Sequence, residues 1–216
     1  MPAPHLYVTE IFHSIQGESC YQGRPCVFVR LTGCDLRCSW CDTTYAFSGG
    51  RRMTVEEILD AVAAFGCRLV EVTGGEPLLQ AQAPALIRRL ADAGHHVLVE
   101  TGGHRDISVV DSRAVVILDV KCPDSGMSDR NDWANLERLR PRDEVKFVLA
   151  SRRDYDWAKE ILARHPSLRE HPILFSPVWS QLPPAELAEW ILADRLDVRL
   201  QLQLHKILWG PDRRGV

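Results

Sequence analysis

Apolar positions along this chain follow two rhythms that take turns. Short, nearly continuous runs of Val, Ile, Leu and Phe read as strands covered on both faces, and stretches with apolar residues at helical spacing read as amphipathic helices. Residues 7–15 are extended and lead into Gln16-Gly17-Glu18-Ser19, and Cys26-Val27-Phe28-Val29-Arg30-Leu31 is the first clear strand. Thr54-Val55-Glu56-Glu57 is a capping box that opens a helix to about Phe65, with Gly66 as its stop. Strands at 68–73, 96–101, 114–120, 144–149 and 173–176 follow, and a cleanly alternating run at 198–204 predicts a last one. Between them lie helices at 82–93 with Gly94 as stop, from Asp132 to about Leu139, from a Ser151 cap to about Arg164, and from Pro183-Pro184 to about Asp194.

Strand and helix thus alternate about six times, the pattern of a parallel sheet with right-handed crossovers. The expected fold is α/β: an incomplete (β/α) barrel of about six units, open on one side, because 216 residues fall short of the roughly 250 that eight units take. Residues 1–216 read as a single domain. Arg30, Cys34, Thr73, Gly75, Lys121, Ser176 and His205 all fall at or just after the C-terminal ends of these strands, so this topology gathers them at one mouth.

The loop after the first clear strand carries Cys34, Cys38 and Cys41 as C-x-x-x-C-x-x-C, with Trp40 before the last cysteine. Soft thiolates suit iron and zinc. A structural zinc site or a ferredoxin-type cluster takes four protein ligands, and this loop offers three. A four-iron cluster held there keeps one iron free to chelate the amino and carboxylate groups of S-adenosylmethionine, whose reductive cleavage yields a 5′-deoxyadenosyl radical. A zinc knuckle completed from afar by His13 or Cys20 is the competing reading. The total of 7 cysteines is odd and nothing resembles a secretory leader, so a disulfide framework is not expected. Gly74-Gly75-Glu76-Pro77 follows the 68–73 strand; its glycines let backbone approach a ligand, and Glu76 could accept from an ammonium. Arg30 is either a solvated strand-end charge or a two-pronged clamp for a carboxylate.

The three-cysteine spacing followed by Gly-Gly-Glu-Pro is the signature of the radical S-adenosylmethionine superfamily. Within it, the run Glu10-Ile11-Phe12-His13-Ser14-Ile15-Gln16-Gly17-Glu18, with Gly23-Arg24-Pro25, Cys41-Asp42-Thr43, Glu100-Thr101 and Gln203-Leu204-His205-Lys206, resembles the 7-carboxy-7-deazaguanine synthase family over nearly the whole chain. The resemblance implies a modified, incomplete barrel and a homodimer. It implies conversion of 6-carboxy-5,6,7,8-tetrahydropterin to 7-carboxy-7-deazaguanine and ammonia, on the way to queuosine, with a four-iron–four-sulfur cluster, S-adenosylmethionine and Mg2+. It also implies a flavodoxin- or ferredoxin-type electron donor. By residue, Cys34, Cys38 and Cys41 hold the cluster and Thr43 serves Mg2+. Trp40, Asp42, Gly75, Glu76, Asp119, Val120, Lys121, Ser176, Pro177, Val178 and Trp179 surround S-adenosylmethionine. Ile15, Gln16, Gly17, Arg30 and Thr73 contact substrate, and Glu18 and His205 are the candidate catalytic side chains. The chain departs from the family pattern at Ser19 and Gly102, where glycine and asparagine are usual, and it continues past Pro211. Cys20, Cys26, Cys67 and Cys122 are expected as small buried residues.

Two other classes stay open on sequence. A glycyl-radical-enzyme activase shares the cysteine and Gly-Gly-Glu-Pro motifs, and a zinc-stabilised binding module shares the thiols. Composition narrows the setting. A net charge of −3 and a pI near 6.2 give no basic bias towards nucleic acid, and 45% hydrophobic residues suffice for a core. The apolar runs are too short to span a membrane, Met1-Pro2-Ala3-Pro4-His5 has no leader character, and exposed thiolates suit the cytoplasm.

Overall fold

A computed structural model describes residues 5–216; Met1 to Pro4 of the opening segment lie outside the described residues. Nine strands form one mixed sheet. They are β1 (His5–Ile15), β2 (Pro25–Leu31), β3 (Arg51–Thr54), β4 (Leu69–Gly74), β5 (His96–Thr101), β6 (Val115–Val120), β7 (Glu144–Leu149), β8 (Ile173–Pro177) and β9 (Arg199–Leu200). Their order is β3-β1-β2-β4-β5-β6-β7-β8-β9, so the two ends never meet and the sheet stays open. From β2 onward, by way of β4, every neighbouring pair is parallel; β1 runs antiparallel to both β2 and β3.

Four helices, α1 (Val55–Ala63), α2 (Ala83–Asp92), α3 (Arg152–Arg164) and α4 (Pro184–Asp194), cover one face. Each lays an apolar stripe on the sheet: Ile58 and Val62 from α1, Leu86 and Leu90 from α2, Tyr155 and Ile161 from α3, Leu187 and Ile191 from α4. The Thr54 capping box forms as expected: the Thr54 hydroxyl accepts from Glu57 N, and Glu57 returns the bond to Thr54 N. Side chains alternate along each strand, so Val27, Val29, Val70, Val72, Val97, Val99, Val116, Val145 and Phe147 meet the helices. The opposite face starts apolar at the N-terminal ends, with Cys26, Phe28, Leu69, Leu98, Val115 and Ile117 packed together. Towards the C-terminal ends that same face turns polar, and there it carries the site.

Several expectations need correction. The 198–204 run is not a strand: only Arg199–Leu200 pairs, at the sheet edge, and Leu204–Trp209 coils into a short helix, α5. An alternating pattern needs a partner on each side or a covered face to hold it extended, and β9 has only β8. The 132–139 helix is a 3-10 turn over Trp133–Arg138, started by Asp132 accepting from Ala134 N. The β5–β6 and β6–β7 crossovers are thus made without an α-helix. Strand β3, hidden among Gly49-Gly50-Arg51-Arg52, is recruited by pairing with β1. Cys20 is exposed and Cys67 half-buried, where both were expected buried, and His96 is half-buried with its ring 2.8 Å from the Tyr21 hydroxyl.

Candidate active site

A cavity of about 580 Å³ opens at the C-terminal ends of the parallel strands. Its floor is the polar part of the sheet face opposite the helices. Register decides which residues meet there: Arg30 lies beside Thr73, Phe28 beside Glu71, Glu100 beside Ile117 and Asp119 beside Lys146. One wall is the Gly33–Thr43 loop. The other is the Gln16–Glu18 turn stitched to the C-terminal segment: Leu204 N donates to Gly17 O at 3.0 Å, and Gln22 Nε2 bridges Gly17 O and Leu202 O at 2.9 and 2.6 Å. Gly17 has to be glycine for this closure, because a Cβ there would sit 2.1 Å from His205 Nδ1.

The thiols of Cys34, Cys38 and Cys41 are free, half-buried and line this cavity. The loop is held from both sides. Gly33 N donates to Ala46 O and Glu76 N to Gly33 O, each at 2.8 Å, and Asp35 binds His104 Nε2 at 2.7 Å and Arg105 at 2.5 Å. Gly75 lies so close that a Cβ would stand 2.5 Å from Gly33 O and 2.6 Å from the Cys34 Cβ. Burial pushes all three thiols up, with the Lys121 ammonium acting in the opposite direction on each, so metal has to displace their protons. Among the described residues no three His, Cys, Asp or Glu side chains are gathered about a single ion. His13, one distant ligand the zinc reading invoked, is exposed and lies against Phe65 instead. Three thiols spread along one cavity wall fit an iron–sulfur cluster, which spans several metal atoms, and Asp119 adds a buried carboxylate oxygen with no partner that faces the same space.

The floor is a charge network: sequence reading named Glu18, Thr73, Asp119 and Lys121 but missed Lys146 and Glu71, which tie it together. Lys146, buried in mid-strand on β7, places its Nζ 3.0 Å from Glu18 Oε2 and 3.9 Å from Asp119 Oδ2, and it donates to Glu100 Oε1. Glu18 also accepts from Gln203 Nε2 at 2.9 Å, and Glu100 accepts from the Thr73 hydroxyl at 3.3 Å. Burial and the charges of Lys146 and Lys121 oppose each other at Glu100, and the cations win, holding it below the usual carboxylate range. Glu71 is pushed the other way, to about 8, by burial and by the Glu100 charge, while Gln16 Nε2 donates to it. The floor therefore offers an ionised acceptor at Glu100 beside one carboxyl, Glu71, that is largely neutral at pH 7. In sequence, Lys146 and Glu71 look like the solvent side of amphipathic strands; the one available signal is their position on the half of the strand that ends near Thr73 and Leu149.

Most of the expected residues reach the cavity: Ile15, Gln16, Gly17, Glu18, Arg30, Trp40, Asp42, Thr43, Thr73, Gly75, Asp119, Lys121, Val178, Trp179 and His205 all line it. Arg30 is engaged there by Glu10 at 2.8 Å. Thr43 donates to Asp42 Oδ1 at 2.9 Å. Burial would raise Asp42, but Lys206 Nζ, 2.6 Å from its other oxygen, brings it down to about 2. His205 sits on α5, not at a strand end, and burial lowers its basicity.

Four residues do not line it. Val120 and Pro177 have the opposite parity in their strands and point into the helix-side layer, and Ser176 is buried below the surface with its hydroxyl unpartnered. Glu76 is fully buried and accepts from Leu78 N, the Thr101 hydroxyl and Gly102 N, so it braces the turn after β4 instead of facing a ligand ammonium. Truncating Glu76 to alanine strands those donors, at a cost of about 3 kcal/mol. The melting midpoint should fall by roughly 6–12 °C in a thermal scan; a change under about 2 °C means the carboxylate is not the brace.

Residues 28–118 match the model of the radical SAM superfamily. A 7-carboxy-7-deazaguanine synthase of Chlorobaculum tepidum is 52% identical over 98% of this chain and 97% of its own length. That of Thermoplasma acidophilum is 37% identical over 95% and 98%. The chain belongs to the 7-carboxy-7-deazaguanine synthase family. The activase and zinc-module alternatives end with that similarity, since it runs the full length of both chains. The crystal structure of QueE from Escherichia coli overlays with a TM-score of 0.77 at 24% identity, covering 93% of this chain and 95% of that one, and shares the fold. Ser19, where the resemblance leads us to expect glycine, adopts the left-handed φ of 64° that glycine takes freely and anchors it by accepting from Tyr21 N. Membership brings with it a 4Fe-4S cluster and S-adenosylmethionine, which the thiol wall described above fits.

Proposed function

We propose that this chain is a radical S-adenosylmethionine lyase that converts 6-carboxy-5,6,7,8-tetrahydropterin to 7-carboxy-7-deazaguanine and ammonia, a step towards queuosine and related 7-deazapurines. Full-length similarity to the Chlorobaculum tepidum synthase carries the reading. When bound, the cluster and S-adenosylmethionine supply a 5′-deoxyadenosyl radical able to take hydrogen from carbon. Everything else falls to the chain. Cys34, Cys38 and Cys41 hold the cluster. Trp40, Asp42, the Gly75 backbone, Asp119, Lys121, Val178 and Trp179 line the adjoining half of the cavity, where S-adenosylmethionine would be held.

The far half receives the pterin. Gln16, Gly17 and Glu18 line its edge, and the Glu18 side chain accepts from the N–H groups of its guanidine-like side. Arg30, swinging from Glu10, meets the carboxylate. Thr73 and Ile15 pack beside the ring, and His205, kept neutral by burial, holds or takes a proton at an imidazole nitrogen. Thr43 would offer its hydroxyl oxygen to Mg2+, a hard cation that takes oxygen ligands. The closed floor keeps solvent from a reactive carbon centre. The electron comes from a flavodoxin- or ferredoxin-type donor.

Anaerobically reconstituted protein given S-adenosylmethionine, reductant, Mg2+ and the carboxypterin should release 7-carboxy-7-deazaguanine, followed by mass spectrometry. Leaving out Mg2+, or using Thr43→Val, should lower turnover about tenfold or more. Protein with a full iron complement that yields no deazapurine sinks the assignment; unchanged turnover without Mg2+ removes only the metal.

A further inference from the structure

One buried cation in the cavity has no part in the roles set out above. Lys146 is 5% exposed and sits at the centre of the floor. Its ammonium touches the loop after β1 through Glu18, β5 through Glu100 and β6 through Asp119. Each partner is tied onward: Glu18 to Gln203, Glu100 to Thr73, and Asp119 to Lys121 at 2.7 Å. One nitrogen thus joins the half of the cavity assigned to the pterin to the half assigned to S-adenosylmethionine. An ammonium suits this point, since its donors rotate and can serve acceptors in several directions, unlike a planar guanidinium.

We propose that Lys146 is the positioning residue of the substrate subsite, holding the Glu18 and Glu100 carboxylates aimed together at the N–H edge of a flat, amide-like heterocycle. The inference rests on the reading of the site given above. Without the ammonium, Glu18, Glu71, Glu100 and Asp119 face one another from four segments, with Arg30 on β2, Lys121 just after β6, Glu144 on β7 and His205 on α5 as the other titratable and charged groups around them. Their mutual repulsion would bind protons at neutral pH, converting acceptors into donors that no longer match the heterocycle.

The test compares wild type, Lys146→Met and Lys146→Arg in two ways. One is calorimetric affinity for the product, 7-carboxy-7-deazaguanine, which needs no turnover. The other is KM and kcat for the carboxypterin across pH, normalised to bound iron. In Lys146→Met the product affinity should fall, and KM rise, at least about tenfold at pH 7. Both should recover in part at higher pH as the carboxylates ionise. Lys146→Arg keeps the charge but not the geometry, so it should retain the wild-type pH profile with affinity lowered about threefold. A merely structural lysine changes the amount of active protein and leaves KM and the pH profile alone; that outcome overturns the proposal. If Lys146→Met does not fold, unchanged product affinity in Lys146→Arg overturns it equally. Wild type that neither binds the product nor turns over the pterin sinks the reading of the site and this inference together, whereas a competent wild type matched by Lys146→Met sinks this inference alone.

Discussion

Cys38→Ala should yield a folded protein that assembles no four-iron cluster and forms no deazapurine above background. The side chain is half-buried in the loop wall and is not part of either apolar core cluster, so losing its sulfur removes a ligand without opening a cavity in the core. With two thiols left, the loop can offer no more than half the cysteines of an ordinary cluster site. Iron content, the brown absorption of the reconstituted protein and product formation should fail together, while the melting midpoint of the metal-free protein stays within about 2 °C of wild type. Cys122→Ala is the informative comparison. Cys122 is fully buried in the helix-side core, away from the cavity. Its loss should cost about 1 kcal/mol through the vacated volume and leave iron binding and turnover per iron intact. Normal iron content in Cys38→Ala, or lost iron in Cys122→Ala, contradicts the assignment of ligands.

The second large effect is expected at Gly75. The added methyl of Gly75→Ala would lie 2.5 Å from Gly33 O, 2.8 Å from Gly33 C and 2.6 Å from the Cys34 Cβ. Two of these are backbone atoms, which cannot swing aside as a side chain can, so the start of the cysteine loop has to retreat. Overpacking of this kind costs about 1–3 kcal/mol, which a domain of this size survives. The consequence for function is larger, because the loop carries the cluster and Gly75 lies where cluster wall and floor meet. A displacement of even 1 Å between reacting groups lowers turnover by about 10²-fold. Turnover per bound iron and S-adenosylmethionine affinity are the measurements. Gly66→Ala is the control: a Cβ there meets nothing within 4 Å, and its φ of 62° costs strain without touching the site. Activity of Gly75→Ala within about twofold of wild type would mean that the contact between β4 and the cysteine loop does not set the site's geometry.

These expectations draw on both levels of description. The helix stops, the capping box at Thr54, the proline start of α4 and all six internal parallel strands, β2 and β4 to β8, follow from local chemistry, because caps, prolines and apolar runs act over a few residues. The cysteine loop and the Gly-Gly-Glu-Pro turn were legible for the same reason: their meaning lies in spacing along the chain. Local pattern was insufficient where it carried two meanings. Gln201 in the 198–204 run is buried although the run is scarcely paired, and His205 reaches the cavity from a helix.

What the sequence alone determined is the alternation of strands and helices, the placement of the three cysteines after β2, and, through long matching runs, the family. What only the tertiary structure decided is which polar side chains share the floor. Lys146, Glu71 and Glu100 stand on three different strands, and their meeting depends on the parallel register of β4 to β7. A charged residue on one face of a strand reads as solvent-facing until something covers that face. Here the Gln16–Glu18 turn and α5, some 185 residues apart, close over it. Glu76 is the converse case. Its motif suggested a ligand contact, and the fold used up its oxygens on the donors of its own turn and of the end of β5. Long-range closure sets burial, burial sets which carboxylates stay charged, and no stretch of a few residues contains that information.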